Sequence, residues 1–327
     1  MRELLRVKNL SVDYIVDEGV VKAVEDVSFQ MYKGEKVALI GETGCGKSTV
    51  ALAIMRILPH NARVRGEIIF EDKNLLALDE EEMRKIRGRR ISMIFQDPFT
   101  SLNPLLTIGV QNTEPYEIHL GLERNEALER AVDMLKKVRI PNPEESVVRY
   151  PHTFSGGMRQ RILTAMMMSL HPDLLIADEP FSSLDVTIQA GIIQMLNELI
   201  ESFNSSLLLI THDLGVVAET CDRVVVMYAG KNVEIADIYT IFENPMHPYT
   251  KGLLSSIPRL DIKVERLPVL AGSPPNLLNP PTGCRFHPRC SHAMDICKRV
   301  TPPLIEVDKN HLVACHLYSD GDEYGNG

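Results

Sequence analysis

The chain has 327 residues, enough for one large α/β domain with an appendage or for two modest domains. Hydrophobic residues make up 44% and charged residues 24%, the balance of an ordinary globular protein. The net charge of -9 argues against a general nucleic-acid binder, which would present a basic face. No apolar run approaches the roughly 20 residues needed to span a bilayer. The first residues, MRELLRVKNL, carry no apolar secretory core. The expected place of action is the cytoplasm, and any membrane path must come from other chains.

Up to about residue 244, strand-like and helix-like patterns alternate. KVALIG (36–41) is a short apolar strand that runs into a glycine-rich turn, and a helical pattern starts at Lys47. RISMIF (90–95) reads as a second buried strand. From about 98 to 170 no strand pattern appears. Arg124 to Arg139 sets Leu128, Ala131, Val132, Leu135 and Val138 at helical spacing, so this stretch is predicted to be a helical insertion. The run Met166 to Met168 is expected to pack in its core. LLIAD (174–178), SLLLI (206–210) and RVVVMYAG (223–230) are further buried strands. Together they predict a largely parallel sheet covered on both faces. Eleven of the 20 prolines follow Asn244, which predicts a loop-rich appendage over 245–327 without long helices. The polar tail from Ser319 to Gly327 is expected to be disordered.

The chemistry starts at the first strand. Gly41-Glu-Thr-Gly44-Cys45-Gly46-Lys47-Ser48, followed by Thr49, fits a phosphate-binding loop between a strand and a helix. Glycines let backbone N–H groups close around phosphates, and the helix N-terminus adds partial positive charge. Lys47 can reach the β- and γ-phosphates of a nucleotide, and the Ser48 hydroxyl can ligate Mg²⁺. Cys45 is an occupant of the loop whose cationic neighbours can lower its thiol pKa; no catalytic task is assigned to it. LLIAD then ends in two adjacent acids, Asp178 and Glu179, before Pro180. Asp178 would hold Mg²⁺, directly or through water, and Glu179 would be left to polarise an attacking water.

Ser155-Gly156-Gly157 is similar to the signature of the ATP-binding cassette (ABC) family. The order of motifs resembles that family too: phosphate loop, Gln96 in IFQDP, signature, acidic strand, Ser183-Leu184-Asp185, and His212 in ITHDL. Phe154 and Met158 depart from the usual Leu and Gln. The resemblance implies an α/β fold: a P-loop NTPase core of ABC type with an antiparallel β subdomain, the helical subdomain at about 98–170, and the C-terminal extension. It implies that two cassettes pack head to tail and trap ATP and Mg²⁺ between them. Ser155, Gly156 and Gly157 would then touch the γ-phosphate held by the other chain. It further implies Tyr14 as an adenine-stacking residue, although a strand-core tyrosine is an equal reading. Gln96 would sense Mg²⁺ and water, and His212 would hold the γ-phosphate and the water. Asp185 would brace the dimer, or cap a helix, or both.

Beyond residue 244, NPMHPYTK and CRFHPRC are similar to the extension of the oligopeptide and dipeptide importer branch. That branch implies a [4Fe–4S] cluster on Cys284, Cys290, Cys297 and Cys315, with structural zinc or unligated thiols as alternatives. The nearby His287, His292, His311 and His316 are not expected to be ligands. The chain is thus expected to be the ATP-hydrolysing subunit of a peptide importer at the cytoplasmic face of the cell membrane. Its partners would be a second cassette (a paralogue or itself), two membrane permeases and, indirectly, an extracytoplasmic solute-binding protein. Service to nickel or oligosaccharide uptake and a soluble non-transport ABC ATPase are the alternatives. No second phosphate loop and no heptad run support the latter.

Overall fold

A computed structural model describes residues 2–182, 184–256 and 270–319. In chain order the first elements are β1 (Glu3–Val16), β2 (Gly19–Tyr32), β3 (Lys36–Ile40), α1 (Lys47–Met55), β4 (Ala62–Phe70) and β5 (Lys73–Asn74). There follow α2 (Glu80–Ile86), β6 (Ile91–Ile94), α3 (Pro98–Ser101), α4 (Ile108–Leu120), α5 (Arg124–Lys137), α6 (Pro143–Ser146), α7 (Gly156–Met168) and β7 (Leu174–Asp178). The last are α8 (Val186–Phe203), β8 (Ser206–Thr211), α9 (Leu214–Thr220), β9 (Arg223–Tyr228), β10 (Lys231–Asp237), α10 (Ile238–Glu243), α11 (Pro248–Ser255), β11 (Ile305–Asp308) and β12 (His311–Val313). The five strands expected over 36–230 are thus β3, β6, β7, β8 and β9. By compactness the chain forms two interleaved units. Among the described residues, one holds 2–4, 31–36 and 73–210, and the other holds 5–30, 37–72 and those from 211 on.

In the first unit β6, β7 and β8 run parallel, with Ile91 paired to Leu174 and Leu174 to Ser206. Every residue of the three strands is buried, so both faces are covered. The chain between β6 and β7 is helical, as the missing strand pattern predicts. On α5 the buried residues are Ala127, Ala131, Met134 and Leu135, while Leu128 and Val132 stay half-exposed. The inward stripe is therefore turned slightly from the one drawn through the larger side chains. Met168 is fully buried, and Met166 and Met167 are half-buried. Short polar side chains set where helices begin. Asp79 and Glu82 form a reciprocal capping box on α2, and Thr107 accepts from the Val110 N–H at the start of α4.

In the second unit β1 lies between β2 and β4 and pairs antiparallel with β4, with a bulge between Lys8 and Ser11. β3 pairs in parallel with β9, from Val37 and Arg223 to Ile40 and Val226. β9 and β10 form a hairpin, and β12 pairs antiparallel with β10 and with β11. The appendage is therefore less loop-like than its prolines predict. Its last hairpin joins the strand series, because HLV alternates in and out against β10. A buried carboxylate fastens it. Glu234 of β10 is 0% exposed and accepts from the N–H groups of Met246 (2.7 Å) and His247 (2.9 Å). Its Oε1 also meets His311 Nε2 at 2.7 Å. His247 in turn caps α11 through Nδ1, which accepts from the Tyr249 N–H, and burial pushes its pKa down to about 3. The tail beyond Ser319, expected to be disordered, lies outside the described residues.

Candidate nucleotide site

The phosphate loop turns between β3 and α1. Gly41 has φ +151°, and a Cβ there would lie 2.2 Å from the Met227 carbonyl oxygen. Gly46 has φ +101° and would meet the Ala23 oxygen at 2.4 Å. Any side chain at either position would push the loop off its neighbours, so these glycines are steric requirements. Thr43, Gly44 and Ser48 are exposed along the loop, whereas Lys47 is buried. The Lys47 ammonium donates to the carbonyls of Gly41 (2.7 Å) and Glu42 (3.1 Å). Cys45 departs from its expectation. Burial pushes its thiol up despite the opposing Lys47 charge, so it stays a neutral packed group. Tyr14, half-buried on β1, brings its hydroxyl 3.2 Å from Thr49 Oγ1.

His212 follows β8 and is exposed. The next residue, Asp213, caps α9 by accepting from the N–H groups of Gly215 and Val216. The capped turn fixes the backbone that carries the imidazole.

In the first unit the parallel registers place Gln96, Asp178 and Glu179 at the carboxyl ends of adjacent strands, since Ile94 pairs with Ala177. Such strand ends are where open parallel sheets bind ligands. The two acids differ in setting. Asp178 ends β7 and is buried, while Glu179 is half-exposed. Glu179 adopts φ +47°, and its N–H donates to the Ile210 oxygen at 2.8 Å. Left-handed backbone at a non-glycine residue costs of order 1–3 kcal/mol and persists where neighbours enforce it. Here it turns the chain so that consecutive carboxylates face different surroundings.

Ser155 caps α7, its hydroxyl accepting weakly from the Met158 N–H at 3.4 Å. A Cβ on Gly157 would stand 2.6 Å from Ile188 Cγ2, so the second signature glycine permits close packing of α7 on α8. Asp185 caps α8 through Ile188, which realises the helix-cap reading of that residue. Ser183 lies outside the described residues. The departure at Phe154 has a packing reason: the ring is buried, and the Arg149 guanidinium sits 4.4 Å from its centroid.

The four-cysteine expectation is not supported as a metal site. Among the described residues no three His, Cys, Asp or Glu side chains converge closely enough to hold a metal ion. No two of the four are spaced as a CxxC pair, which would bring two sulfurs together locally, although the Cys284 N–H donates to the Cys297 oxygen at 2.8 Å. The thiols do sense one another. Burial pushes Cys284 up to about 11, with Cys297, Cys315 and Cys290 adding to the shift. Burial also raises Cys290 and Cys315, while the N–H groups of Phe286, His292 and Leu317 oppose the shift at Cys284, Cys290 and Cys315. Three of the nearby histidines have other contacts: His311 on Glu234, His316 on the Val300 oxygen, and His287 on the Cys284 oxygen.

Comparison with known proteins fits these observations. The ABC transporter family profile matches residues 24–182, and a profile for the oligopeptide/dipeptide transporter C-terminal region matches 233–297. The chain is 49% identical to the dipeptide transport ATP-binding protein DppD of Bacillus subtilis (strain 168), over 99% of this chain and 97% of that one. It is 47% identical to the oligopeptide transport ATP-binding protein OppD of Escherichia coli (strain K12), over 95% and 92%. In structure it is similar to the ATP-binding cassette MJ0796 in a dimeric post-hydrolysis state bound to ADP and Pi. That match has TM-score 0.64 and 26% identity, over 72% of this chain and 99% of that one. The chain belongs to the ABC transporter family and has the ABC ATPase cassette fold, with its antiparallel sheet and helical subdomain.

Proposed function

We propose that this chain is the ATP-hydrolysing subunit of an importer of dipeptides or oligopeptides. The observation that carries the reading is the phosphate loop, folded with the backbone that only glycine allows, in a chain related along its whole length to peptide-transport ATPases. The division at about residue 244, into cassette and extension, is part of this reading; separate profiles match the two parts, the second beginning at residue 233. Among the described residues no helix is long and apolar enough to cross a membrane. The subunit would sit peripherally at the cytoplasmic face, bound to two permeases and to a second cassette, with a solute-binding protein outside.

The residues divide the work as follows. Lys47 and the loop N–H groups offset phosphate charge, and Thr49 supports the loop beside Tyr14. Ser48, Asp178 and Gln96 would hold Mg²⁺, which supplies charge neutralisation on the phosphate oxygens. Glu179 accepts a proton from, or orients, the attacking water, and His212 fixes that water against the γ-phosphate. Ser155, Gly156 and Gly157, with the N-terminus of α7, would face the ATP of the second cassette, and Asp185 would brace that interface. Loss of the γ-phosphate removes the attraction across the interface and lets the pair open.

Cells lacking this chain should lose uptake of labelled di- and oligopeptides, and a Lys47→Ala copy should not restore it. Normal peptide uptake with lost nickel or oligosaccharide uptake would reassign the solute.

A finer reading is that Cys284, Cys290, Cys297 and Cys315 hold a [4Fe–4S] cluster, since four thiolates are the ligand set such a cluster takes. Such a cluster would staple the segment that contains them. Protein purified without oxygen should then be brown and contain iron. Zinc in its place selects the alternative, and the absence of both metals ends the metal reading.

A further inference from the structure

Arg289, in CRFHPRC, takes no part in the chemistry proposed above. Its side chain is nearly buried, at 6% exposure. Nη1 and Nη2 donate to the two carboxylate oxygens of Glu42 at 2.7 and 3.0 Å, a bidentate fork. Nη1 also reaches the Tyr228 hydroxyl at 3.3 Å, and Nε donates to the Ala271 oxygen at 2.8 Å. Glu42 is the second residue of the phosphate loop. Its own N–H donates to the Tyr249 hydroxyl at 2.9 Å, and its carbonyl accepts from the Lys47 ammonium. Tyr249 is fully buried on α11, its ring 4.6 Å from Tyr228 and 5.4 Å from Phe286. Side chain and main chain of Glu42 are thus both gripped from the C-terminal segment, across separations of 247 and 207 residues.

We propose that Arg289 and Tyr249 are positioning residues for ATP, holding the first turn of the phosphate loop through Glu42. The proposal rests on the loop being the ATP site. A loop ordered in advance loses little freedom when phosphate binds, so its grip on nucleotide is tighter. Releasing Glu42 makes ATP binding bear that ordering cost. The groups proposed to act on water are untouched, so turnover at saturation changes little.

The test uses the full chain for Mg-ATP titration by calorimetry, and the chain in its transporter complex for steady-state ATPase rates. Arg289→Gln, Glu42→Gln and Tyr249→Phe should each raise Kd and KM for ATP about tenfold. The value of kcat should stay within about twofold. The Glu42→Gln/Arg289→Gln double variant should bind no more weakly than either single, because both remove one contact. Arg289→Lys should recover only part of the affinity, since an ammonium cannot make the fork. Wild-type ATP affinity in the folded variants, or additive losses in the double, overturns the proposal. If Arg289→Gln does not fold, Tyr249→Phe and Glu42→Gln carry the same expectation, and normal affinity in both overturns it. A wild-type chain that does not bind ATP, or a Lys47→Ala chain that binds it equally well, would defeat the reading of the loop instead.

Discussion

Replacing Glu179 with Gln should abolish turnover while leaving ATP bound. Gln keeps the size and the hydrogen-bonding reach of the side chain, and it demands nothing new of the left-handed backbone at this position. What it loses is the capacity to accept a proton. Removing a positioned general base costs about 10²–10⁴-fold in rate. The buried Asp178 cannot substitute, because it precedes the turn and faces a different environment. The Kd for Mg-ATP should stay within about twofold, since the loop and its lysine are unchanged. A single-turnover assay beside an equilibrium titration separates the two quantities. A Glu179→Gln protein hydrolysing ATP within a few-fold of wild type would remove Glu179 from the role of base and require another group to activate water.

Replacing Glu234 with Ala should cause a large loss of stability. The carboxylate is fully buried and takes two main-chain N–H groups and one imidazole nitrogen. Its removal strands the Met246 and His247 N–H groups and His311 without water to replace the lost acceptor. Breaking one partner of a buried charged network costs roughly 3–5 kcal/mol. Alanine also leaves a void where the side chain stood. Three connections would loosen together: the start of α11, the turn before it, and the hairpin of β11 and β12. Urea unfolding followed by circular dichroism measures the effect. Glu81→Ala provides the contrast, because Glu81 pairs with Lys85 where the two side chains are 80% and 69% exposed. A loss below about 1 kcal/mol at Glu234 would mean that the network is not a fastening.

Much of the site was legible because its chemistry is local. A phosphate loop needs glycine at fixed offsets from a lysine, so Gly41, Gly46 and Lys47 announce themselves within eight residues. A strand of Leu, Leu, Ile and Ala ending in Asp178 and Glu179 is equally compact. Buried parallel strands read as continuous apolar runs, which is why β3, β6, β7, β8 and β9 stand out. Other features were not legible. The inward face of α5 took in small Ala127 and left the larger Leu128 and Val132 half-exposed, because close packing selects by volume and not by hydrophobicity alone. The thiol of Cys45 rose where neighbouring cations alone would have lowered it, because burial outweighed them.

The sequence by itself determined the strand–loop–helix of the proposed phosphate site, the acidic strand, the turn at Ser155 and the order in which they occur. Each is a short-range pattern whose residues are neighbours along the chain. Only the tertiary structure decided that Glu234 would meet His311, and that Arg289 and Tyr249 would close on Glu42. Those pairings join positions far apart in the chain, and no spacing rule reaches across such distances. They exist because the C-terminal strands and turns pack within the second unit beside the phosphate loop, where a buried charge must find its partner or remain costly.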